Sequence, residues 1–136
     1  GQMLHRVEVD GFAKGPVKRH GCPSHGIALT PDETEIWVCD ATNQQLHVFD
    51  VTVSPPRQKL SIPVRDEPGW ITFSIDAPIA WPSTGDIIDM TTHKVIGGLT
   101  DETGAMVMSE KLLEIDFRDG FPVRAGDQFG IGARRT

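Results

Sequence analysis

An all-β fold, assembled from short antiparallel strands in meanders, is what this sequence predicts, and three observations carry the expectation. Residues 22 to 50, CPSHGIALTPDETEIWVCDATNQQLHVFD, read as three strands joined by two tight turns. The pattern returns further along, where Trp70-Ile71-Thr72-Phe73-Ser74 stands 44 residues after Gly26-Ile27-Ala28-Leu29-Thr30. Turn residues punctuate the strands at Asp10-Gly11, Pro31-Asp32, Ser54-Pro55-Pro56 and Asp119-Gly120.

Residues 3 to 9, MLHRVEV, alternate and stop at Asp10-Gly11, which predicts a first strand. A connection rich in Gly and Pro, residues 11 to 24, leads to the central unit. There Ile27 and Leu29 alternate with Ala28 and Thr30, and beyond the turn Ile36 and Val38 alternate with Trp37 and Cys39. If the turn pairs Thr30 with Glu35, then Leu29 faces Ile36, Ile27 faces Val38 and His25 faces Asp40. One side of this hairpin is Ile27, Leu29, Ile36 and Val38; the other is Ala28, Trp37 and Cys39. Both sides are apolar, so cover on both is expected. A third strand over Leu46 to Phe49 and a fourth over Lys59 to Val64 complete a four-stranded unit spanning residues 24 to 65.

A second unit spans residues 69 to 100. Its first strand starts at Trp70, Ile79 to Trp81 supply a second, and Ile87-Ile88-Asp89-Met90-Thr91 repeats Val48-Phe49-Asp50-Val51-Thr52 at an offset of 39. Lys94-Val95-Ile96 is the fourth. Residues 111 to 118, KLLEIDFR, and 121 to 131 then add a terminal hairpin closed by Asp119-Gly120.

Four strands in roughly 40 to 45 residues is the period of β-propeller blades. The 136 residues suit one domain, 1–136. One strand, two blades and a hairpin amount to between two and three blades, whereas closed propellers use about four to eight. A partial propeller leaves open strand edges and apolar outer faces. A homo-oligomer, a dimer or trimer, is the expected way to complete the ring, with strand exchange between copies open to it. A piece of a longer protein or a smaller sandwich are the other two resolutions of the count.

HGIALTPDETEIWVCDATNQQLHVFD and the later IIDMTTHKVIGGL resemble the YVTN-type β-propeller repeat, in which a hydrophobic strand, Pro-Asp, a second strand and an Ile-Asp-x-x-Thr-x-Lys-Val ending recur. The resemblance spans residues 24 to 100 and departs at Ala77-Pro78, where a turn Gly is usual. It implies the propeller fold and leaves activity open, because such propellers resemble lactonases, quinoprotein dehydrogenase subunits and pure binding modules alike.

A net charge of −6, with basic residues scattered, argues against nucleic acid or an anionic membrane surface as partner. No apolar run reaches the roughly 18 residues of a membrane span. Gly1-Gln2-Met3 reads as a tag remnant before a start methionine, so the compartment is open, a periplasmic or secreted setting included. The register puts Cys39 opposite Gly26, leaving Cys22 roughly 13 Å away at about 3.3 Å per residue. A disulfide needs Cα atoms within about 7 Å. Two free thiols are therefore expected.

Successive turns of a meander alternate between its two ends. Residues 19–24, 40–45, 65–69 and 82–86 fall at one end, and 31–34, 50–57, 75–78 and 91–94 at the other. The first end collects His20, Cys22, His25, Asp40, Asn43, Arg65, Asp66, Glu67, Trp70 and Asp86, and a small-molecule ligand or partner is expected there, on His20, His25, Asp40, Glu67 and Trp70. His25 opposite Asp40 has the makings of a general acid or base, since a carboxylate fixes the imidazole tautomer, and equally of a cross-strand structural bond. His20, Cys22 and His25 lack the fourth ligand and the spacing of a zinc site. Glu67 suits a cation or a solvated loop, and Trp70 a stacking platform or packing between blades. Phosphate loops and Gly-x-Ser-x-Gly are absent, so no catalytic residue or cofactor is assigned. A binding scaffold leads, with a lactonase-like hydrolase or quinoprotein-like oxidoreductase subunit on the same end as the alternative.

Overall fold

The computed structural model describes residues 1–16, 18, 24–109, 112–127 and 130–131. A first blade, β1 (Ile27–Leu29), β2 (Glu35–Asp40), β3 (Gln45–Asp50) and β4 (Arg57–Pro63), is an antiparallel meander in that spatial order. The second blade repeats it with β5 (Ile71–Phe73), β6 (Ile79–Pro82), β7 (Asp86–Asp89) and β8 (Lys94–Gly98). A terminal sheet follows in the order β11-β10-β9, from β9 (Glu114–Arg118), β10 (Phe121–Asp127) and β11 (Gly130–Ile131). The architecture is all-β, and none of the three sheets closes on itself.

The hairpin register is the expected one: Ile27 pairs with Val38 and Leu29 with Ile36. Its turn is held by Thr30 N–H donating to Glu35 O at 2.9 Å. The Asp32 carboxylate accepts from the Thr30 hydroxyl at 2.6 Å and from Thr34, so the two threonines on either side of Pro31-Asp32-Glu33 lock the turn. Those bonds, the one from Thr30 foremost, hold Asp32 below the usual carboxylate range. The terminal hairpin turns at Asp119 and Gly120, both at positive φ (52° and 80°), as a two-residue hairpin turn requires.

The core lies between the two blades. Ala28, Trp37, Cys39, Leu46, Val48 and Ile62 of the first meet Ile71, Phe73, Ala80 and Ile88 of the second. Trp37 stands edge-on to Phe73, with ring centroids 5.5 Å apart, a favoured aromatic geometry. The inner strands approach so closely that a Cβ at Gly26 would sit 2.6 Å from Gly69 O, which only glycine permits. Cys39 is a free, buried thiol, and burial pushes its pKa up to about 12. Cys22 lies outside the described residues.

Two expectations are corrected. Residues 3–9 form no strand. Met3 and Leu4 are exposed, and the segment is tied to the first blade by side chains: His5 Nε2 to Ser54 Oγ at 2.8 Å, and Gln58 bonding both Asp10 N–H and Asp10 O. Alternation supplies strand propensity, but Met3, Leu4 and Val7 stay exposed, so burial does not reward pairing among these residues. The outer face of the first blade is also not covered throughout. Phe49 and His47 are buried, with Gly11 beside the His47 ring, whereas Ile27 and Leu29 nearer the inner edge are exposed.

Candidate functional site

The two ends sort their loops as the meander dictates. At the first end Gln44 Nε2 donates to Asp66, Arg65 Nε donates to Asp86 at 3.2 Å, and Gly69 N–H donates to Ser83 Oγ at 2.9 Å. At the second end Val51 N–H donates to Thr34 O at 3.0 Å, and His93 reaches Glu35 at 3.0 Å.

His25 and Trp70, which stand just before β1 and β5, come together: their ring centroids are 6.0 Å apart, and His25 Nδ1 lies 3.1 Å from Gly69 O. His25 is exposed and Trp70 half-buried. Asp66 is paired with Lys18, and Glu67, half-buried beside it, takes a positive φ of 60° in the connection between blades. His20 lies outside the described residues.

Asp40 is the clear departure. Its carboxylate is buried and bonds His47 Nε2 at 3.0 Å and Asn43 Nδ2 at 2.7 Å, so the expected His25–Asp40 pair is replaced by Asp40–His47. Burial works against the charge, but the bonds from His47 and Asn43 outweigh it and hold Asp40 below the usual carboxylate range. The ionised Asp40 can only accept, so Nε2 donates to it. In the tautomer with its single proton on Nε2, Nδ1 accepts from the Ser61 hydroxyl at 2.8 Å, and Ser61 Oγ accepts from Gln58 Nε2 at 3.0 Å. Gln58 holds the Asp10 backbone at 2.8 and 3.0 Å, and Asn43 Nδ2 also donates to Ala13 O at 3.2 Å. The relay thus clasps residues 10–13 to the first blade. It also has the Ser–His–Asp order of an activated nucleophile. His47 and Ser61 face each other across β3 and β4, a pairing that strand register alone would have revealed.

A cavity of about 300 Å³ opens at the second end, opposite to the one expected to hold a ligand. Thr30, Asp32 and Glu35 of the first blade line it against Ser74, Ile75 and Met90 of the second. Its signal was in the repeat: the turn after Thr30 and the turn after Ser74 are counterparts 44 residues apart, and they face one another across the blade boundary. Glu35, beside it, accepts from Trp37 Nε1 at 2.9 Å, from His93 and from Lys59. These bonds hold its pKa down against burial, which alone would raise it. Among the described residues no group of three or more His, Cys, Asp or Glu is placed to hold a metal ion.

The chain is similar in structure to hydrazine synthase of Kuenenia stuttgartiensis, a β-propeller-containing protein, with a TM-score of 0.56 and 24% identity over 71% of this chain. The likeness is one of fold. This chain spans 28% of that chain's length. No family model and no curated protein matches.

Proposed function

We propose that this chain is a binding and scaffold module of the propeller type, whose blades are completed by further copies of itself. The observation that carries this reading is a contrast between counterparts. Ile27 and Leu29 are 60% and 42% exposed, while Ile71 and Phe73, their equivalents 44 residues on, are each 1% exposed. The same blade position is buried where a neighbouring blade packs on it and bare where none does, and apolar faces of this kind mark interaction surfaces. In the completed module the His25–Trp70 rim is the surface for a small-molecule ligand or partner. Light scattering of the purified chain tests the reading: a dimer or trimer of the 14.9 kDa chain is expected. A cooperatively folded monomer at high concentration would overturn it.

A second reading, a hydrolase, is favoured by the Asp40–His47–Ser61 relay. A fluorophosphonate probe should then label Ser61, with labelling lost in His47→Ala. Absence of labelling, in a protein whose melting is unchanged, leaves the relay a structural clasp.

A further inference from the structure

The stack has two bare ends that differ in kind. At one end is the outer face of the first blade, Ile27 and Leu29 with the half-buried Ile36 and Val38. At the other end is the terminal sheet. That sheet turns its charged side to the second blade: Arg124 Nη2 pairs with Asp76 at 2.6 Å, Arg124 also faces Asp116, and Glu114 accepts from Ile75 N–H at 3.0 Å. Alternation along β9 therefore points Ile115 and Phe117 away from the second blade, and they are 44% and 63% exposed, with Val123 bare at the β10 bulge beside them.

We infer that these two faces are the two halves of one contact, in which the Ile115–Phe117–Val123 face of one copy seats on the Ile27–Leu29 face of a second copy, head to tail. The inference rests on the scaffold reading above and names its surfaces. One copy cannot join the faces itself, because the second blade lies between them: its Ile71–Phe73 side packs on the first blade, and its Trp81 side meets the terminal sheet at Leu112 and Leu113. The contact within the chain is already of this heterologous type, with the Trp37 side of one blade against the Phe73 side of the next. Leu29 is the counterpart of Phe73. The first blade thus presents the surface that, one blade on, receives an aromatic side chain, and Phe117 is an exposed aromatic on the free face of the terminal sheet. None of the five side chains in the contact is charged, so a chain of net charge −6 meets its copy without placing like charges face to face. A head-to-tail contact either closes a ring or extends an open chain.

Two variants and their mixture test the contact. Ile27→Glu disables the head and Phe117→Glu the tail, both at exposed positions, so far-UV circular dichroism should match the parent chain, and melting should fall only by what the lost contact contributes. Each variant alone is expected to run as a monomer of about 15 kDa. Mixed in equal amounts, they retain one good head and one good tail between them, and should form a capped dimer of twice that mass and nothing larger. Should either variant unfold, Leu29→Lys and Ile115→Lys replace them. A parent chain that is itself monomeric overturns both this contact and the scaffold reading. An oligomeric parent whose single variants stay oligomeric, or whose mixture stays monomeric, overturns the contact and leaves the scaffold reading standing.

Discussion

The chain has two junctions between sheets, and they are made of different chemistry. Between the blades the contact is dry: Trp37 on Phe73, with Ala28, Val48, Ile71 and Ile88 around them, and Gly26 letting two backbones touch. Between the second blade and the terminal sheet, charged groups do the joining, Arg124 among Asp76, Asp116 and Glu114. Beside them is an apolar cavity of about 270 Å³ lined by Trp81, Leu99, Leu112 and Leu113. A close-packed apolar junction resists salt and fails when volume is removed. An exposed ionic one tolerates lost volume and yields to screening. The two should therefore separate under different stresses.

The largest effect is expected from emptying the dry junction. Trp37 is fully buried, and its indole N–H is satisfied by Glu35 Oε2. Trp37→Ala should lower unfolding stability by about 3–5 kcal/mol, the usual range for a buried aromatic truncated to alanine, measured by urea titration. Trp81 is only half-buried at the looser junction, so Trp81→Ala should cost clearly less. Equal losses would erase the distinction between the junctions.

Much of the dry junction was legible in the sequence. Period-two alternation placed Trp37 and Cys39 on one side and Ile36 and Val38 on the other, and the repeat at 44 residues located the partner strand. His47 was hidden because pairing across β1 alone sets His25 opposite Asp40, whereas the next strand on the other side, β3, carries the imidazole two positions beyond Gln45, the residue directly opposite. Residues 3–9 misled because alternation reports what a strand could pair with and not whether a neighbour is present. The ionic junction was also illegible: Arg124 and Asp76 are 48 residues apart with no repeat linking them.

A middle-sized effect sharpens the comparison at the rim of the dry junction, where Glu35 of the first blade holds His93 of the second as well as Lys59 and the Trp37 indole. The folded-state pKa of Glu35 is lowered, so its contribution is complete above the ordinary glutamate value of about 4.3. It fades as pH falls below that through the depressed folded value. Glu35→Gln sets an amide N–H₂ against donors and should cost about 1–3 kcal/mol at pH 7. The gap between parent and variant should narrow as pH falls below about 4.3, since protonation then progressively removes what the substitution removes. A gap that is the same at pH 7 and pH 3 would mean that the carboxylate charge contributes nothing to the junction.

The smallest effect on global stability, and the most local, belongs to Arg124. Its guanidinium hydrogen-bonds Asp76 and Asp116, and those bonds, the one to Asp76 foremost, raise its pKa further, so it stays charged. Because these groups are reached by solvent and counterions, Arg124→Ala should leave the urea midpoint of the blades nearly unchanged. It should instead loosen the terminal sheet. The Ile75 N–H, which donates to Glu114 Oε2 across the junction, is a reporter there, and its hydrogen exchange should accelerate in Arg124→Ala while the amide of Cys39, bonded to Gly26 O inside the first blade, exchanges as before. About 1 M salt, which shortens the screening length to roughly 3 Å, should reproduce the effect in the parent chain and add little in the variant. If instead Cys39 and Ile75 accelerate together, the terminal sheet and the blades open as one unit, and the two junctions are not independent.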